Sequence, residues 1–221
     1  MRRPVASSVL SACALTAVLG GCTGGDEASS PEASSPAADS ASAGSGTAAQ
    51  SPSSAAGGGG LTARLVDPGG VEVGVATLTE VEGGTQVDVR VTGLPPGFHA
   101  LHVHAVGLCE PDSPSPADPS MTGDFLSAGG HVGAGEADHG EHAGDLPLLF
   151  VTEAGTGTLT AVTDALTRAQ LTDEDGSAVV LHAGRDNYAN IPERYAPGGP
   201  DEMTRTTGDA GGRIACGPVE G

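Results

Sequence analysis

The sequence predicts an all-β fold, an antiparallel sandwich or barrel, for Leu61 to Gly221, and three observations predict it. Apolar and polar residues alternate in short runs such as Thr85-Gln86-Val87-Asp88-Val89-Arg90-Val91-Thr92, the period of a half-buried strand. Glycine and proline punctuate the gaps between runs, so the chain turns often. Helical periodicity is nearly absent, and only Thr163 to Leu171 suits a short helix or turn.

Taken in order, the first strand is Val71 to Val75, and the Thr85 to Thr92 run follows the turn residues Gly83 and Gly84. Further strands are expected at Ala100 to Ala105, Leu146 to Thr152, Thr156 to Val162, Ala178 to His182 and Arg213 to Val219. Two stretches rich in Pro, Gly and Asp resist assignment, Val106 to Gly130 and Ala183 to Gly212. Long loops in compact domains are usually functional or disordered. Leu61 to Gly221 is the normal size of one compact domain.

The preceding residues read differently. Arg2 and Arg3 are followed by a small and apolar stretch from Val5 to Gly21, ending in Leu19-Gly20-Gly21-Cys22. That pattern predicts an export signal over residues 1–21 and a lipid on Cys22, since 17 weakly apolar residues fall short of the ~20 a spanning helix needs. Residues 22–60 comprise the acylated cysteine and a Ser/Ala/Gly/Pro linker, too polar to offset its own ordering entropy. As a flexible coil the linker reaches roughly 35 Å. The protein is thus expected outside the cytoplasm, held to the outer face of the cell membrane through Cys22.

Cys13 leaves with the signal, which leaves Cys109 and Cys216 in the domain. In an oxidising compartment they most simply form one disulfide, with two free buried thiols as the alternative.

All seven histidines lie between His99 and His182. In Leu101-His102-Val103-His104, alternate strand side chains share a face, so His102 and His104 can grip one ion together. His131, His139, His142 and Asp145 form a second cluster, and His182 comes last. Imidazole and carboxylate without thiolate suit copper or zinc. His99 falls on the opposite face of its strand and reads as structural, and Asp173-Glu174-Asp175 reads as a solvated turn. Glu136, Asp138 and Glu141 crowd the second cluster as surplus carboxylates that could compete as ligands.

The domain carries seven arginines, no lysine and 24 acids, a formal charge of −17. That balance argues against nucleic acid or an anionic surface as partner.

Gly97-Phe98-His99-Ala100-Leu101-His102-Val103-His104, Ser127-Ala128-Gly129-Gly130-His131, His142-Ala143-Gly144-Asp145-Leu146 and Thr207-Gly208-Asp209-Ala210-Gly211-Gly212-Arg213-Ile214-Ala215-Cys216-Gly217 resemble the copper/zinc superoxide dismutase family, in the family's order and over essentially all of Leu61 to Gly221. Leu181-His182-Ala183-Gly184 and Asn187-Tyr188-Ala189-Asn190-Ile191-Pro192 are similar to its actinobacterial lipoprotein branch. The resemblance implies an eight-stranded antiparallel Greek-key barrel with two long functional loops. It implies His102, His104, His131 and His182 as copper ligands, and His131, His139, His142 and Asp145 as zinc ligands, His131 bridging the two. Asp186 resembles the carboxylate that orients one ligand from each set. Cys109 and Cys216 match the family disulfide, and Arg213 the arginine that attracts the anion, with Arg205 a weaker source of positive charge.

The function implied is conversion of superoxide to oxygen and hydrogen peroxide. Copper held by imidazoles can alternate oxidation state whereas zinc cannot, and His131 serves as both ligand and acid. The competing class is a non-enzymatic copper-buffering module, which needs neither Arg213 nor a bridging His131. The resemblance is compatible with a homodimer. Two departures from the family pattern stand out. Ala100 replaces a usual glycine. His139 and His142 are only three residues apart, a shortening shared with relatives that work with copper alone, so zinc binding requires a tight turn there.

Overall fold

The structure, a computed structural model, describes residues 59–221. The expected signal, Cys22 and nearly all of the linker lie outside the described residues.

In β1 (Leu61–Val66), Leu61, Ala63 and Leu65 turn inward while Thr62 and Arg64 face solvent. β2 (Glu72–Val81) pairs antiparallel with β1 and with β3 (Gly84–Val91), joined by the two-residue turn Glu82-Gly83. The strand expected at Val71 therefore continues six residues past Val75, its inward positions held by Val73, Ala76 and Leu78.

The next run is interrupted once. β4 (Gly97–His99) and β5 (Leu101–His104) are separated only by Ala100, whose N–H donates to Gly184 O at 2.8 Å while its carbonyl accepts from His182 N at 2.9 Å. β4 pairs with β8 (Leu149–Val151), and β5 with β10 (Ala178–His182). Between them, the first long loop carries a small hairpin, β6 (Ser113–Pro114) and β7 (Thr122–Gly123), and a 3-10 turn at Leu126–Ala128.

With β9 (Gly157–Thr163) and β11 (Arg213–Glu220), the sheet order is β4-β8-β9-β3-β2-β1-β11-β10-β5. Its two ends are halves of one run, so the sheet curves into a nearly closed barrel of eight strands. The connection from β3 to β4 skips β9 and β8, and that from β9 to β10 crosses the barrel, which makes the topology Greek-key. Ala100, fully buried, marks the seam.

Leucines and valines of nearly every barrel strand fill one core, including Leu65, Leu78, Val89, Leu101, Val103, Leu149 and Leu181. A second, smaller cluster lies outside the barrel, where Phe125 and Ala128 of the first loop cover Ala178, Val180 and Cys216. The Cys109–Cys216 disulfide, with Cα atoms 5.6 Å apart, staples that loop to β11.

Two α-helices among the described residues complete the fold. α1 (Arg168–Leu171) falls inside the expected helical stretch and starts on a reciprocal Thr167/Gln170 cap. α2 (Glu202–Thr207) lies in the second long loop, between the N-cap Asp201 and Gly208.

Candidate metal centre

The centre grows from the alternation of β5. Leu101 and Val103 belong to the barrel core, so His102 and His104 point the other way, toward the two long loops. Those loops bury both. The register of β10 shifts between Leu181 and His182, a bulge that sets His182 opposite Arg213 on β11. Isolated bridges bring His131 beside His104 and Asp145 beside His102.

Two groups result. Ligand-capable atoms of His102, His104, His131 and His182 lie within 4.8 Å of one another, as do those of His102, His131, His139 and Asp145. His142 joins the second, its Nδ1 3.3 Å from His131 Nδ1 and 3.4 Å from Asp145 Oδ2.

Hydrogen bonds on the far side of each ring decide which nitrogen is free. His104 Nδ1 donates to Gly129 O at 2.9 Å, His182 Nδ1 to Gly211 O at 3.0 Å, and His142 Nε2 to Ala137 O at 3.0 Å. Asp186 accepts from His102 Nε2 at 2.7 Å and His139 Nε2 at 2.8 Å, so one carboxylate orients a histidine of each group. Carbonyls and carboxylates accept only, so the opposite nitrogens carry lone pairs. Four of these, His102 Nδ1, His104 Nε2, His139 Nδ1 and His182 Nε2, are buried without a partner. Each such atom costs about 1–3 kcal/mol. Such atoms in both groups, on His102, His104 and His182 in the first and on His139 in the second, fit sites that cations fill.

Electrostatics agree. Burial lowers His131 to about 4 against the opposing pull of Asp145, and burial with the nearby His102 lowers His182 to about 3. Burial also holds His104 well below its ordinary range. At neutral pH these rings are uncharged, the form that binds metal. Burial pushes Asp186 up, but hydrogen bonds from His102, His139 and Tyr188 N outweigh it and hold the carboxyl well below the usual range. Asp145 is lowered in the same way, with His131 as its main partner against burial.

The shortened loop closes through turns. Glu141 N bonds to Asp138 O and Asp145 N to His142 O, both at 3.1 Å, with Gly140 between them at φ +93°. A Cβ on Gly140 would meet Tyr188 O at 2.7 Å. Glu136, Asp138 and Glu141 are exposed and belong to neither group.

Arg213 donates to Phe125 O at 2.5 Å and Gly129 O at 2.6 Å. Burial lowers it to about 10, so it stays cationic at neutral pH, close enough for its charge to act on His104 and His182. Arg205 is turned elsewhere, to Pro200 O and to Glu202 at 3.4 Å. His99 is buried between the carbonyls of His182 and Pro95, each 2.8 Å away, and pins the backbone of His182.

Three residues that the sequence presents only within longer motifs, with no role of their own, support the site: Gly129 and Gly208, and Tyr188, whose ring stacks on His139 at 6.4 Å. Only Gly208 carries a local signal, as the C-cap of α2 at φ +57°.

Imidazoles on a Greek-key barrel, arranged in two adjoining groups that share His102 and His131, define a class: β-barrel metalloproteins with room for two ions. Comparison with known proteins narrows it. The sequence model of the copper/zinc superoxide dismutase family (SODC) matches residues 72–219. A protein of Mycolicibacterium paratuberculosis named Superoxide dismutase [Cu-Zn] is 41% identical over 96% of this chain and 95% of its own. One of the same name from Mycobacterium tuberculosis is 40% identical over 97% and 94%. Among solved structures, the Cu/Zn superoxide dismutase from Brucella abortus superposes with a TM-score of 0.56 at 30% identity, covering 72% of this chain and 98% of that one. The chain belongs to the copper/zinc superoxide dismutase family.

Proposed function

We propose that the barrel is a copper-dependent superoxide dismutase, joining two superoxide anions and two protons into oxygen and hydrogen peroxide. The observation that carries this reading is the set of buried, unpartnered ring nitrogens with the cationic Arg213 beside it. His102 Nδ1, His104 Nε2, His182 Nε2 and His131 would hold copper, while His131 Nδ1, His139, His142 and Asp145 would hold zinc. Copper bound there would supply the one-electron redox chemistry that dismutation requires.

The remaining steps belong to the chain. Arg213 attracts and orients the anion in a domain whose bulk charge repels it. His131 Nδ1 and Asp145 Oδ1 lie 2.9 Å apart on the side where zinc would bind both, and Nε2, on the copper side, would be the atom that carries a proton toward the departing peroxide. Asp186 keeps His102 and His139 in ligating tautomers. The test is superoxide decay by the metal-loaded chain beside His104→Ala. Fast decay lost in the variant supports the enzyme, whereas full copper binding with no decay leaves a copper-buffering module.

The location follows from the sequence. Export over residues 1–21 and acylation of Cys22 rest on the Arg2-Arg3 start and the Gly20-Gly21-Cys22 ending, and a disulfide suits an oxidising compartment. Cys22→Ala should release the protein from membranes, and a variant that stays bound rejects the lipid anchor. A homodimer would bury the exposed Phe98 and Phe150, whose rings lie 5.0 Å apart. Sedimentation of the full chain as a monomer removes it.

A further inference from the structure

A cavity of about 440 Å³ opens beside the second group of ligands and is lined by Asp138, His139, Glu141 and Tyr188 among others. His139 is its buried member, 3% exposed, and its Nδ1 has no hydrogen-bond partner. Tyr188 forms a wall stacked on the His139 ring and fixed by its hydroxyl, which donates to Leu146 O at 3.2 Å. Asp138 and Glu141 are exposed, and among the described residues neither carboxylate takes part in an ion pair. An opening with two free negative charges is therefore lined by a buried histidine whose Nδ1 has no hydrogen-bond partner and lies 3.3 Å from Asp145 Oδ1 of the second group.

The approach governed by Arg213 has the opposite sign. Its guanidinium acts on His104 and His182 and repels any cation arriving there. A divalent ion sheds its water shell stepwise, and exposed carboxylates are suited to replace the first waters.

We propose that this cavity is an antechamber for a hydrated divalent cation, in which Asp138 and Glu141 collect Zn²⁺ and pass it to His139 by a path separate from the anion approach at Arg213. The proposal rests on the reading of His131, His139, His142 and Asp145 as the zinc set. The two carboxylates are collectors rather than ligands, since neither belongs to a ligand group. At roughly 6 Å from a divalent ion, with screening over about 8 Å, removing both charges slows capture about tenfold.

The experiment mixes the metal-free full chain with zinc chloride in a stopped-flow instrument, with uptake read against a fluorescent zinc indicator. Asp138→Asn with Glu141→Gln is compared with the parent and with Glu136→Gln, which removes an exposed acid of the same loop that does not line the cavity. Expected are zinc uptake about tenfold slower in the double variant, a parent-like rate in Glu136→Gln, one zinc bound at saturation, and unchanged copper uptake by visible absorbance. An unchanged zinc rate, or copper slowed to the same degree, overturns the antechamber. Loss of zinc stoichiometry would make the carboxylates ligands and overturn it too. A parent that binds no zinc at equilibrium overturns the zinc assignment itself, a result distinct from an unchanged rate.

Discussion

Replacing Gly208 by alanine adds one methyl group where the second long loop presses on the metal centre. Gly208 closes α2 at φ +57°, with its N–H donating to Thr204 O. A Cβ there would overlap Asp186 Oδ1 and His139 Nε2, the two atoms whose hydrogen bond orients a histidine of the second group. The left-handed backbone alone costs alanine about 1 kcal/mol. Displacing a hydrogen bond to a buried carboxylate costs about 1.5–3 kcal/mol more, so a loss of about 2.5–4 kcal/mol is expected for the metal-free protein. A misplaced His139 should also lower zinc affinity about 10- to 100-fold, the usual effect of disturbing an orienting partner. The control is Gly93→Ala, where φ is +73° and no atom lies within 4 Å of the added Cβ, so only the backbone cost of about 1 kcal/mol applies. Urea unfolding of the metal-free chains and competition with a zinc chelator read the two quantities. Gly208→Ala no less stable than Gly93→Ala, with zinc affinity within twofold of the parent, would refute the reasoning.

Other consequences follow from the same geometry. Replacing both Cys109 and Cys216 by serine opens a 107-residue separation and should cost up to about 4–5 kcal/mol, with slower dismutation because Phe125, packed on Cys216, holds Arg213. Equal unfolding midpoints with and without the disulfide would count against this. His131 at about 4 and His182 at about 3 lie below the unfolded value of 6.5, so the unfolded chain takes up protons first as pH falls. Stability of the metal-free protein is full above about pH 6.5 and should drop by on the order of 5 kcal/mol by pH 4; a flat urea midpoint across that window contradicts it. Arg213→Ala should slow dismutation about tenfold at low salt and flatten its salt dependence, with partial recovery in Arg213→Lys. An unaltered salt slope would remove Arg213 from the anion path.

The alternation in Thr85 to Thr92 and in Leu101 to His104 is a local property of the chain, and both segments form strands at those positions. Where the signal weakened, the expectation fell short. The strand expected from Leu146 starts only at Leu149. The regular Leu61, Ala63, Leu65 pattern forms β1 ahead of the expected strands, and α2 forms inside a Pro- and Gly-rich loop between Asp201 and Gly208.

By itself the sequence determined which side chains are available: two histidines on one strand face, a second cluster within 15 residues from His131 to Asp145, two domain cysteines and Arg213. Tertiary structure decided what those side chains present. The free nitrogen of His104, His142 or His182 depends on a carbonyl at Gly129, Ala137 or Gly211, and Arg213 faces the site because its acceptors, Phe125 O and Gly129 O, come from the first long loop. Strand period and residue type are written locally, but a hydrogen-bond partner brought from 25 or 29 residues away exists only once the barrel has closed and its loops have folded over β5.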